Sequence, residues 1–487
     1  MQRKFLNNLI LMVFLNLLVK PLAIFGIDAE VQNRIGAEEY GLYFSLLNFT
    51  YIFNIILDFG ITNYNTKYVA QYPHLVKRYM GKILPLRFLL FFIYVLISVL
   101  LAVILGYEGR QFIFLGVLIF NQFLVSVIQY LRSSFAGLLL FRVDTLLSVM
   151  DRILLILIAG YLLYFYDDRH FRLSWFVGAQ TVSYLVAVLF AVALVLWKIG
   201  IPKLNWSPAF NKVILRKSFP YALLILLMML YNRIDAVMIE RLHPDGLHQA
   251  GIYAQAFRLL DAFVMFGMLF SNLLFPMFSR LIKERMPVVS LLDSASGLLL
   301  GFSMIVAIAC FAFPYQVLDL IYTQDIHEAV PTFRWVILSF IPISIVTIFG
   351  TLLTANGSLR TLNYVSFMGL LLNILLNLFF IRKWGAWGAA MATLITQSGV
   401  ALIQVIFVWK YFQLRANIRL VLRYTGFTAW LLASCWLVPR LDLENPLNNI
   451  LLVLLSGGIA FFIFGLVHWR ILLSMFRKVP AEDQRPK

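Results

Sequence analysis

Charged residues are scarce in this chain of 487 residues. Only 13% are Asp, Glu, Lys or Arg, whereas 62% are hydrophobic, and the mean hydropathy is +0.86. Such a chain has too little polar surface to cover a globule in water, which excludes an ordinary soluble protein. The composition therefore indicates an integral membrane protein.

Motifs for chemistry are also lacking. The sequence contains no Gly-x-x-x-x-Gly-Lys-Ser/Thr run, so it offers no ATP site of that type. We find no metal-ligand spacing and no nucleophile constellation, and we expect no cofactor. The two cysteines, Cys310 and Cys435, fall in predicted spans and are interpreted as buried apolar residues rather than a disulfide.

Hydrophobic runs long enough to cross a bilayer recur along the whole chain. About 20 apolar residues are needed per helix, and we predict about fourteen spans, with no soluble domain left over. The N-terminal run after "MQRKF" has no small-residue cleavage pattern, so we interpret it as the first span rather than a signal peptide. The expected fold is an all-α polytopic membrane protein.

Basic residues predict the orientation in the membrane. Loops on the N-terminal side hold about 27 Lys and Arg, against about 9 on the opposite side, which places both termini in the cytoplasm. The net charge of +17 is thus explained by topology, and no nucleic-acid partner is expected. The residues counted on the N-terminal side include Lys67, Lys77, Arg78, Lys82, Lys198, Lys203, Lys212, Arg216, Lys217, Arg280, Lys283, Arg285, Arg415, Arg419, Arg423, Arg477 and Lys478.

The chain contains a weak internal repeat. Ile-Asp-Ala occurs at 27–29 and at 234–236, and Gly-Leu-Tyr at 41–43 is matched by Gly-Ile-Tyr at 251–253. A third match joins 175–181 to 387–393. Because six predicted spans separate the copies, we expect parallel repeats about an axis along the membrane normal, a feature of transporters. The predicted domains are a six-helix lobe at 1–200, a second at 201–412, and two further helices with a basic cytoplasmic tail at 413–487.

Several stretches resemble a known family. They are "IGAEEYGLY" (35–43), "IILDFGI" (55–61), "GIYAQAFRL" (251–259) and "LLNILLNLFFIRKWGAWGAAMATLIT" (371–396). The chain resembles the Wzx-like O-antigen flippases of the multidrug/oligosaccharidyl-lipid/polysaccharide exporter superfamily. The resemblance implies two six-helix lobes around a cavity and transfer of an undecaprenyl-pyrophosphate-linked oligosaccharide to the periplasmic leaflet of the bacterial inner membrane. The implied partners are this lipid-linked substrate, the bilayer and polysaccharide assembly enzymes.

Four cations inside the predicted spans are candidates for binding the phosphates of a lipid headgroup. Lys20 and Arg233 each lie about 14 residues, or about 21 Å, from the cytoplasmic start of a span, too deep for easy snorkelling. A structural salt bridge is the alternative for Arg233. For Arg258 a local pair with Asp261 is favoured, and for Arg152 snorkelling to the cytoplasmic surface, with Asp151 as its counter-charge.

Three carboxylates are candidates for ion coupling or gating: Asp58, Asp235 and Asp261. Arg233 and Asp235 are two residues apart, so on a helix they point to nearly opposite faces. Asp58 shares a polar stripe with Asn54 and others, which indicates a helix that lines water or forms interhelical hydrogen bonds. A coupling ion, Na⁺ or H⁺, is left open.

Three rival functions are weighed. A multidrug antiporter of the same superfamily would need carboxylates for an organic cation, whereas four buried cations favour an anionic substrate. A flippase for lipid II carries a similar pyrophosphate-linked sugar. A membrane polysaccharide polymerase would use a large outer loop, but the longest one predicted, about 315–332, is short; its Asp319, Asp325, His327 and Glu328 are interpreted as solvated.

Overall fold

The computed structural model describes residues 15–16, 18–166, 171–414, 418–441 and 446–466. Within these ranges the regular secondary structure is helical, without strands. Eleven helices are long and apolar enough to cross a membrane, and one further apolar helix is shorter. The prediction of an all-α polytopic membrane protein is confirmed. Arg415, Arg477, Lys478 and most of the predicted basic tail lie outside the described residues.

We number these twelve helices in chain order. They are α1 (Leu18–Asp58), α2 (Pro73–Ile104), α3 (Gly109–Gly137), α4 (Arg142–Tyr166), α5 (Leu173–Lys198), α6 (Pro208–Leu242), α7 (Gly246–Lys283), α8 (Val289–Ala312), α9 (Ile326–Ala355), α10 (Leu359–Phe412), α11 (Ile418–Leu441) and α12 (Leu447–Ile463). A short helix, Ile61–Gln71, follows α1, and another, Pro314–Asp319, precedes α9.

Two of these helices are each interrupted by one glycine. In α1, Gly36 has φ 81° and ψ 171°, and in α10, Gly385 has φ 53° and ψ −129°. Glycine adopts such positive φ values without a Cβ clash. At 1.5 Å per residue, the 54 residues of α10 would span about 80 Å, more than twice a bilayer core of about 30 Å. Each interrupted helix therefore has room for two crossings, although the total of fourteen stays a prediction.

The Gly-x-Tyr repeat forms a reciprocal contact between α1 and α7. A Cβ placed on Gly41 would collide with the Leu247 carbonyl oxygen, and one placed on Gly251 would collide with the Ala37 carbonyl oxygen. Both glycines thus meet a residue four positions before the other glycine. Reciprocal contacts between equivalent residues are what a two-fold axis produces, and small residues allow close helix approach. The predicted parallel repeat is supported by this contact; the lobe boundaries stay predictions.

The third sequence match also has a structural counterpart. Gln180 in α5 donates a hydrogen bond to the Tyr43 hydroxyl over 2.7 Å. In the second half, Thr393 in α10 lies 3.2 Å from the Tyr253 hydroxyl. The two matched segments therefore contact the two matched tyrosines, at the same level of each half.

The last two helices pack on one side of the second half. Phe427 and Leu431 of α11 form a buried cluster with Ala460 of α12 and Met304 of α8. Both cysteines are free, Cys310 buried in α8 and Cys435 half-buried in α11, which confirms that they form no disulfide.

Candidate functional site

Arg233 of α6 lies beside α1 and α7, among charged side chains inside the helix bundle. Its two terminal nitrogens donate to the Asp261 carboxylate over 2.9 and 3.0 Å, a bidentate pair between α6 and α7. The Asn48 side chain lies 3.5 Å away, and the guanidinium carbon is 5.7 Å from the Tyr51 ring centroid. The structural alternative for Arg233, an interhelical salt bridge, is therefore present, with α1 side chains directly beside it.

Arg258 joins α7 to α1. Its Nε donates to the Tyr40 hydroxyl over 3.1 Å, and one terminal nitrogen lies 3.7 Å from the Asp28 carboxylate. The predicted local pair between Arg258 and Asp261 is wrong. Spacing of three residues permits such a pair, but Asp261 instead receives the bidentate fork of Arg233, and Asp28 approaches Arg258 from the other half.

Arg152 of α4 also faces the interior. Asp151 lies 3.5 Å away, as the predicted counter-charge. Arg152 also interacts electrostatically with Tyr184, Tyr51 and Asp28 of the helix bundle. That its side chain reaches the cytoplasmic surface stays a prediction.

Lys20 lies at the beginning of α1, in the same charged region. It interacts electrostatically with Arg152, Arg132 and Asp151. Among the residues that the structure describes, Lys20 forms neither a hydrogen bond nor an ion pair. Lys20 is therefore the candidate headgroup ligand that has no carboxylate of its own.

The charged side chains described above carry one positive charge in excess. They are five cations and four carboxylates, which we call the charged row: Lys20, Arg132, Arg152, Arg233, Arg258, Asp28, Asp144, Asp151 and Asp261. Each arginine has an acidic partner, whereas Lys20 has none among the described residues. Deep inside the helix bundle, the side chains of Arg152, Arg233 and Asp261 are still 30%, 19% and 18% accessible. Ionised groups inside a membrane protein usually face a water-filled cavity, so we interpret the accessible space beside these side chains as such a cavity. We call this space the central cavity.

Asp235 faces away from the central cavity. Its carboxylate accepts hydrogen bonds from Tyr253 over 2.9 Å, Asn377 over 2.7 Å and Asn373 over 3.1 Å, and from the Thr393 hydroxyl. Only 1% of the residue is exposed. Arg233 and Asp235 thus use opposite faces of α6, which confirms the prediction from their spacing. We call Asp235 and its four donors the polar cage.

Asp58 is held by an ion pair with Arg87 and by a backbone hydrogen bond. Its carboxylate lies 3.0 Å from an Arg87 terminal nitrogen, and it accepts from the Thr62 backbone N–H over 3.1 Å, capping the short helix that restarts after Gly60. Arg87 also donates to the Ser126 carbonyl over 2.9 Å. Sequence reasoning missed Arg87, although an arginine in the middle of the long apolar run of α2 was a usable signal.

The polar stripe beside Asp58 forms interhelical hydrogen bonds. Asn54 donates to the Gln122 side chain over 3.2 Å, and Asn65 donates to Ser133 over 2.8 Å. The stripe was predicted either to line water or to form interhelical hydrogen bonds, and these two contacts support the second alternative.

A second buried carboxylate, Glu240, lies at the predicted outer end of α6 and was missed in the sequence. Its side chain is 2% exposed, lies 3.4 Å from the guanidinium of the adjacent Arg241, and accepts hydrogen bonds from Tyr107 over 3.0 Å, from Gln111 over 3.1 Å and from the Ser45 hydroxyl. All three donors come from the first half of the chain. We call these four residues the outer latch, because they hold the two halves together on that side.

Asn33 adds a second connection on the same side. Its side chain donates to the Ile321 carbonyl over 2.9 Å and accepts from the Thr323 N–H over 3.0 Å. The neighbouring Gln324 donates to the Asn33 carbonyl over 3.0 Å. The loop before α9 thus contributes to closing the predicted outer side.

Two of the outer-loop residues considered for an enzyme, His327 and Glu328, contact other side chains. Glu328 accepts from Gln249 over 2.6 Å and lies 2.9 Å from His248 Nε2. The His327 ring packs on Tyr315, with centroids 4.9 Å apart. These contacts join α7 to α9 at the surface.

Comparisons with known proteins agree with this architecture. The model of the polysaccharide biosynthesis protein family matches residues 5–282, and that of the MatE family matches residues 220–379. An uncharacterized membrane protein of Methanocaldococcus jannaschii is 26% identical over 388 residues, which cover 76% of this chain and 90% of that protein.

Solved structures show the same fold. The lipid II flippase MurJ in an inward closed conformation has a TM-score of 0.74 at 16% identity, covering 95% of this chain and all of that one. An inward-facing multidrug resistance transporter of the MATE family has a TM-score of 0.66 at 15% identity, covering 83% of this chain and 98% of that one.

The family match, together with these neighbours, which are transporters and flippases, agrees with the prediction that the chain is not an enzyme. The multi-pass helical fold and the predicted superfamily are confirmed, while the O-antigen type stays a prediction. Since the first family model covers more than half of the sequence, the chain belongs to the polysaccharide biosynthesis protein family and is a membrane transporter of the multidrug/oligosaccharidyl-lipid/polysaccharide exporter superfamily.

Proposed function

We propose that this protein flips an undecaprenyl-pyrophosphate-linked oligosaccharide from the cytoplasmic to the periplasmic leaflet of the bacterial inner membrane. The product would supply O-antigen, lipopolysaccharide or related surface-polysaccharide synthesis, with polysaccharide assembly enzymes as partners and both termini in the cytoplasm. The observation that carries the proposal is Lys20, the cation of the central cavity without an acidic partner among the described residues. Membership of the polysaccharide biosynthesis family supports the same substrate class.

A pyrophosphate needs fixed positive charge when it leaves water. Lys20 supplies a point charge, and Arg152, whose acidic neighbour is 3.5 Å away, has guanidinium N–H groups that suit phosphate oxygens. Arg233 and Arg258 are held by Asp261 and Asp28, so they orient the site and bind phosphate only by exchanging these partners. The arginine pairs therefore stabilise the cavity, while Lys20 makes it selective for an anion.

The sugar headgroup needs hydrogen-bond partners. Each hydroxyl buried without one costs on the order of 1–3 kcal/mol, which makes unassisted flipping slow. Tyr51, half-buried on α1 with its ring 5.7 Å from the Arg233 guanidinium carbon, offers such a partner through its hydroxyl. The lipid tail remains in the bilayer while the headgroup passes through the cavity.

Alternating access is the proposed mechanism. The outer latch and Asn33 close the predicted outer side, so opening there requires Glu240 to leave Tyr107, Gln111 and Ser45. An inside-negative potential of 100 mV drives negative charge outward, so moving about two negative charges out gains roughly twice 2.3 kcal/mol. The membrane potential therefore favours export of a pyrophosphate-linked substrate.

The polar cage is the proposed site of a coupling cation, Na⁺ or H⁺. Asp235 is buried and has no Lys or Arg within salt-bridge distance in the part of the chain that the structure describes. Oδ1 of Asn377 lacks a hydrogen-bond partner there, and carboxylate, amide and hydroxyl oxygens are ligands that hard cations prefer. Asp58 and Asp261, the other coupling candidates, are already paired with arginines.

Lipid II transport is the second candidate, favoured by the fold shared with MurJ. The pyrophosphate chemistry of the central cavity serves either substrate. The two differ in the sugar, so the same variants tested in two bacterial strains distinguish them.

Complementation tests the proposal. The parent chain and Lys20→Gln are expressed at matched membrane levels in a strain lacking its O-antigen flippase, and surface polysaccharide is measured. We expect the parent to restore polysaccharide, Lys20→Gln to lose most of it and Lys20→Arg to retain it. Restoration of growth in a strain depleted of its lipid II flippase, without surface polysaccharide, would favour the second candidate.

A control that neutralises both partners separates phosphate binding from a structural role of Arg233. Arg233→Gln leaves Asp261 unpaired, whereas Arg233→Gln combined with Asp261→Asn removes both charges of this pair. If Arg233 is structural, the double variant regains activity; if it binds phosphate, the double variant stays inactive. Full activity of Lys20→Gln would overturn the anionic-cavity assignment.

A further inference from the structure

A groove of about 620 Å³ lies between α2 and the beginning of α6, away from the central cavity. Its walls are mostly apolar and come from the end of α1, from α2 and from α6: Phe59, Leu86, Leu89, Trp206, Leu215 and Phe219. Trp206, Leu89 and Phe219 are strongly exposed, so the groove opens to the surroundings of the protein. By the predicted topology this is the cytoplasmic half of the membrane.

One polar side chain in this groove is buried without a partner. Asn211 lines it, and only 4% of the residue is exposed. Neither its amide nitrogen nor its amide oxygen has a hydrogen-bond partner among the described residues. Since buried amides are normally hydrogen-bonded, Asn211 points to a ligand that supplies polar atoms at the bottom of an apolar groove.

Two cations complete the groove. Lys212 and Arg216 both line it, are exposed, and lie four residues apart on one face of α6. The sequence has no acidic residue between Asp58 and Glu108, which covers α2, and none between Asp168 and Asp235, which covers the first part of α6. The local potential is therefore positive, with no carboxylate from these segments to neutralise it.

We propose that this groove binds one anionic phospholipid of the cytoplasmic leaflet. The lipid phosphate lies between Lys212 and Arg216, Asn211 donates to an ester carbonyl, and an acyl chain packs along Leu86, Leu89 and Phe219. Apolar walls with cations at the membrane interface fit this amphiphile, and each cation favours an anionic headgroup. The proposal of this lipid site does not rest on the proposed transport function, because none of the groove residues belongs to the central cavity.

The groove also spans both predicted lobes. Phe59, which directly follows α1, lies against Phe219 of α6, with ring centroids 6.3 Å apart, and a Cβ on the adjacent Gly60 would be 3.3 Å from Ser218 Cβ. A lipid seated here contacts both halves at once. It therefore stabilises the arrangement in which α1 and α6 meet on the cytoplasmic side.

Fluorescence quenching tests the proposal. The intact protein is placed in nanodiscs containing increasing fractions of phosphatidylglycerol or phosphatidylcholine brominated on the acyl chains. The signal of Trp206 is taken as the difference between the parent and Trp206→Phe. We expect phosphatidylglycerol to quench Trp206 at about tenfold lower mole fraction than phosphatidylcholine, since two cations contribute.

Variants identify the groups responsible. Lys212→Gln with Arg216→Gln should remove the difference between the two lipids, whereas the exposed pair Lys283→Gln with Arg285→Gln, at the end of α7, should keep it. Asn211→Leu should weaken the binding of both lipids equally. All variants are first checked for a monodisperse elution profile; Lys212 and Arg216 are exposed, so their substitution leaves the packing intact.

Three results would overturn the proposal. Equal quenching by the two lipids in the parent means an ordinary boundary lipid. A preference that survives loss of Lys212 and Arg216 means that the groove cations do not bind the headgroup. Absence of Trp206 quenching by either lipid means that the groove holds no phospholipid.

Discussion

Asp28 and Asp235 occupy matching Ile-Asp-Ala positions of the repeat, yet their surroundings differ. Asp28 lies in the central cavity, 3.7 Å from Arg258 of the other half. Asp235 lies in the polar cage, where Tyr253, Asn373, Asn377 and Thr393 of its own half hold it. One carboxylate balances a cation between the lobes, and the other is buried among neutral donors.

The comparison separates what a repeat conserves from what it does not. The backbone contact at Gly41 and Gly251 is reciprocal, so helix packing follows the repeat. The chemistry of the matched carboxylates does not, because it depends on helices that differ between the halves. The repeat thus predicts the position of an acidic residue, whereas its role depends on the side chains that contact it.

Substitution of Asp28 should have the largest effect on this comparison. Asp28→Asn leaves Arg258 largely buried beside a neutral amide, and removal of one partner of a buried pair destabilises a protein by about 3 kcal/mol. We expect a clearly lower melting temperature in detergent by differential scanning fluorimetry. Adding Arg258→Gln should restore most of it; no rescue would mean that the two side chains do not depend on each other.

Substitution of the paired glycines comes next. Gly41→Ala and Gly251→Ala each place a Cβ against a backbone carbonyl, so the helices must separate, at about 2 kcal/mol of overpacking strain. We expect both variants to reduce the yield of monodisperse protein on size exclusion. Gly116→Ala in α3 and Gly178→Ala in α5 are the controls, because a Cβ there meets no atom within 4 Å. Equal yields for all four would contradict the close contact.

Asp235→Asn should behave unlike Asp28→Asn. No buried cation loses its partner, but the new –NH2 group cannot accept from the donors of the polar cage, so without added Na⁺ the variant should lose only about 1 kcal/mol of stability. In the parent, Na⁺ at ten times its Kd would add about 1.4 kcal/mol of stability, which the variant should lose. Melting curves in NaCl against choline chloride measure this. An unchanged Na⁺ response would exclude the polar cage as its site, and a parent without any response would favour H⁺.

Glu240→Gln should have the smallest effect. A neutral acceptor weakens the hydrogen bonds from Tyr107 and Gln111 by about 1 kcal/mol, which shifts opening of the outer side about fivefold. The measurement is labelling of Asn48→Cys, which lies beside Arg233, by a membrane-impermeant maleimide added on the outer side, in a background with Cys310→Ala and Cys435→Ala. Glu39→Gln, which breaks an exposed pair with Arg110, is the control and should leave the labelling rate unchanged.

The sequence was sufficient for the parts that depend on composition and period. Hydropathy predicted the helical membrane fold, the repeated Gly-x-Tyr marked the α1–α7 contact, and a spacing of two placed Arg233 and Asp235 on opposite faces. Each of these follows from neighbours in the chain.

Pairings between distant helices could not be read in the same way. A local rule paired Arg258 with Asp261, but the partner that reaches Arg258 is Asp28, 230 positions earlier in the sequence. Arg87 and Glu240 were missed for the same reason, because their importance comes from Asp58 and from Tyr107 across the bundle. Hydropathy shows that such charges are buried and contains no information about what lies opposite them.

The Gly41–Gly251 contact has a mechanical consequence. Gly41 lies one helical turn from Ser45 of the outer latch, so the outer side cannot open by losing the latch hydrogen bonds alone. The backbones of α1 and α7 must also separate at the two glycines, where they now touch. The outer closure is therefore one cooperative unit, in which a backbone contact and the side-chain hydrogen bonds of Glu240 are lost together.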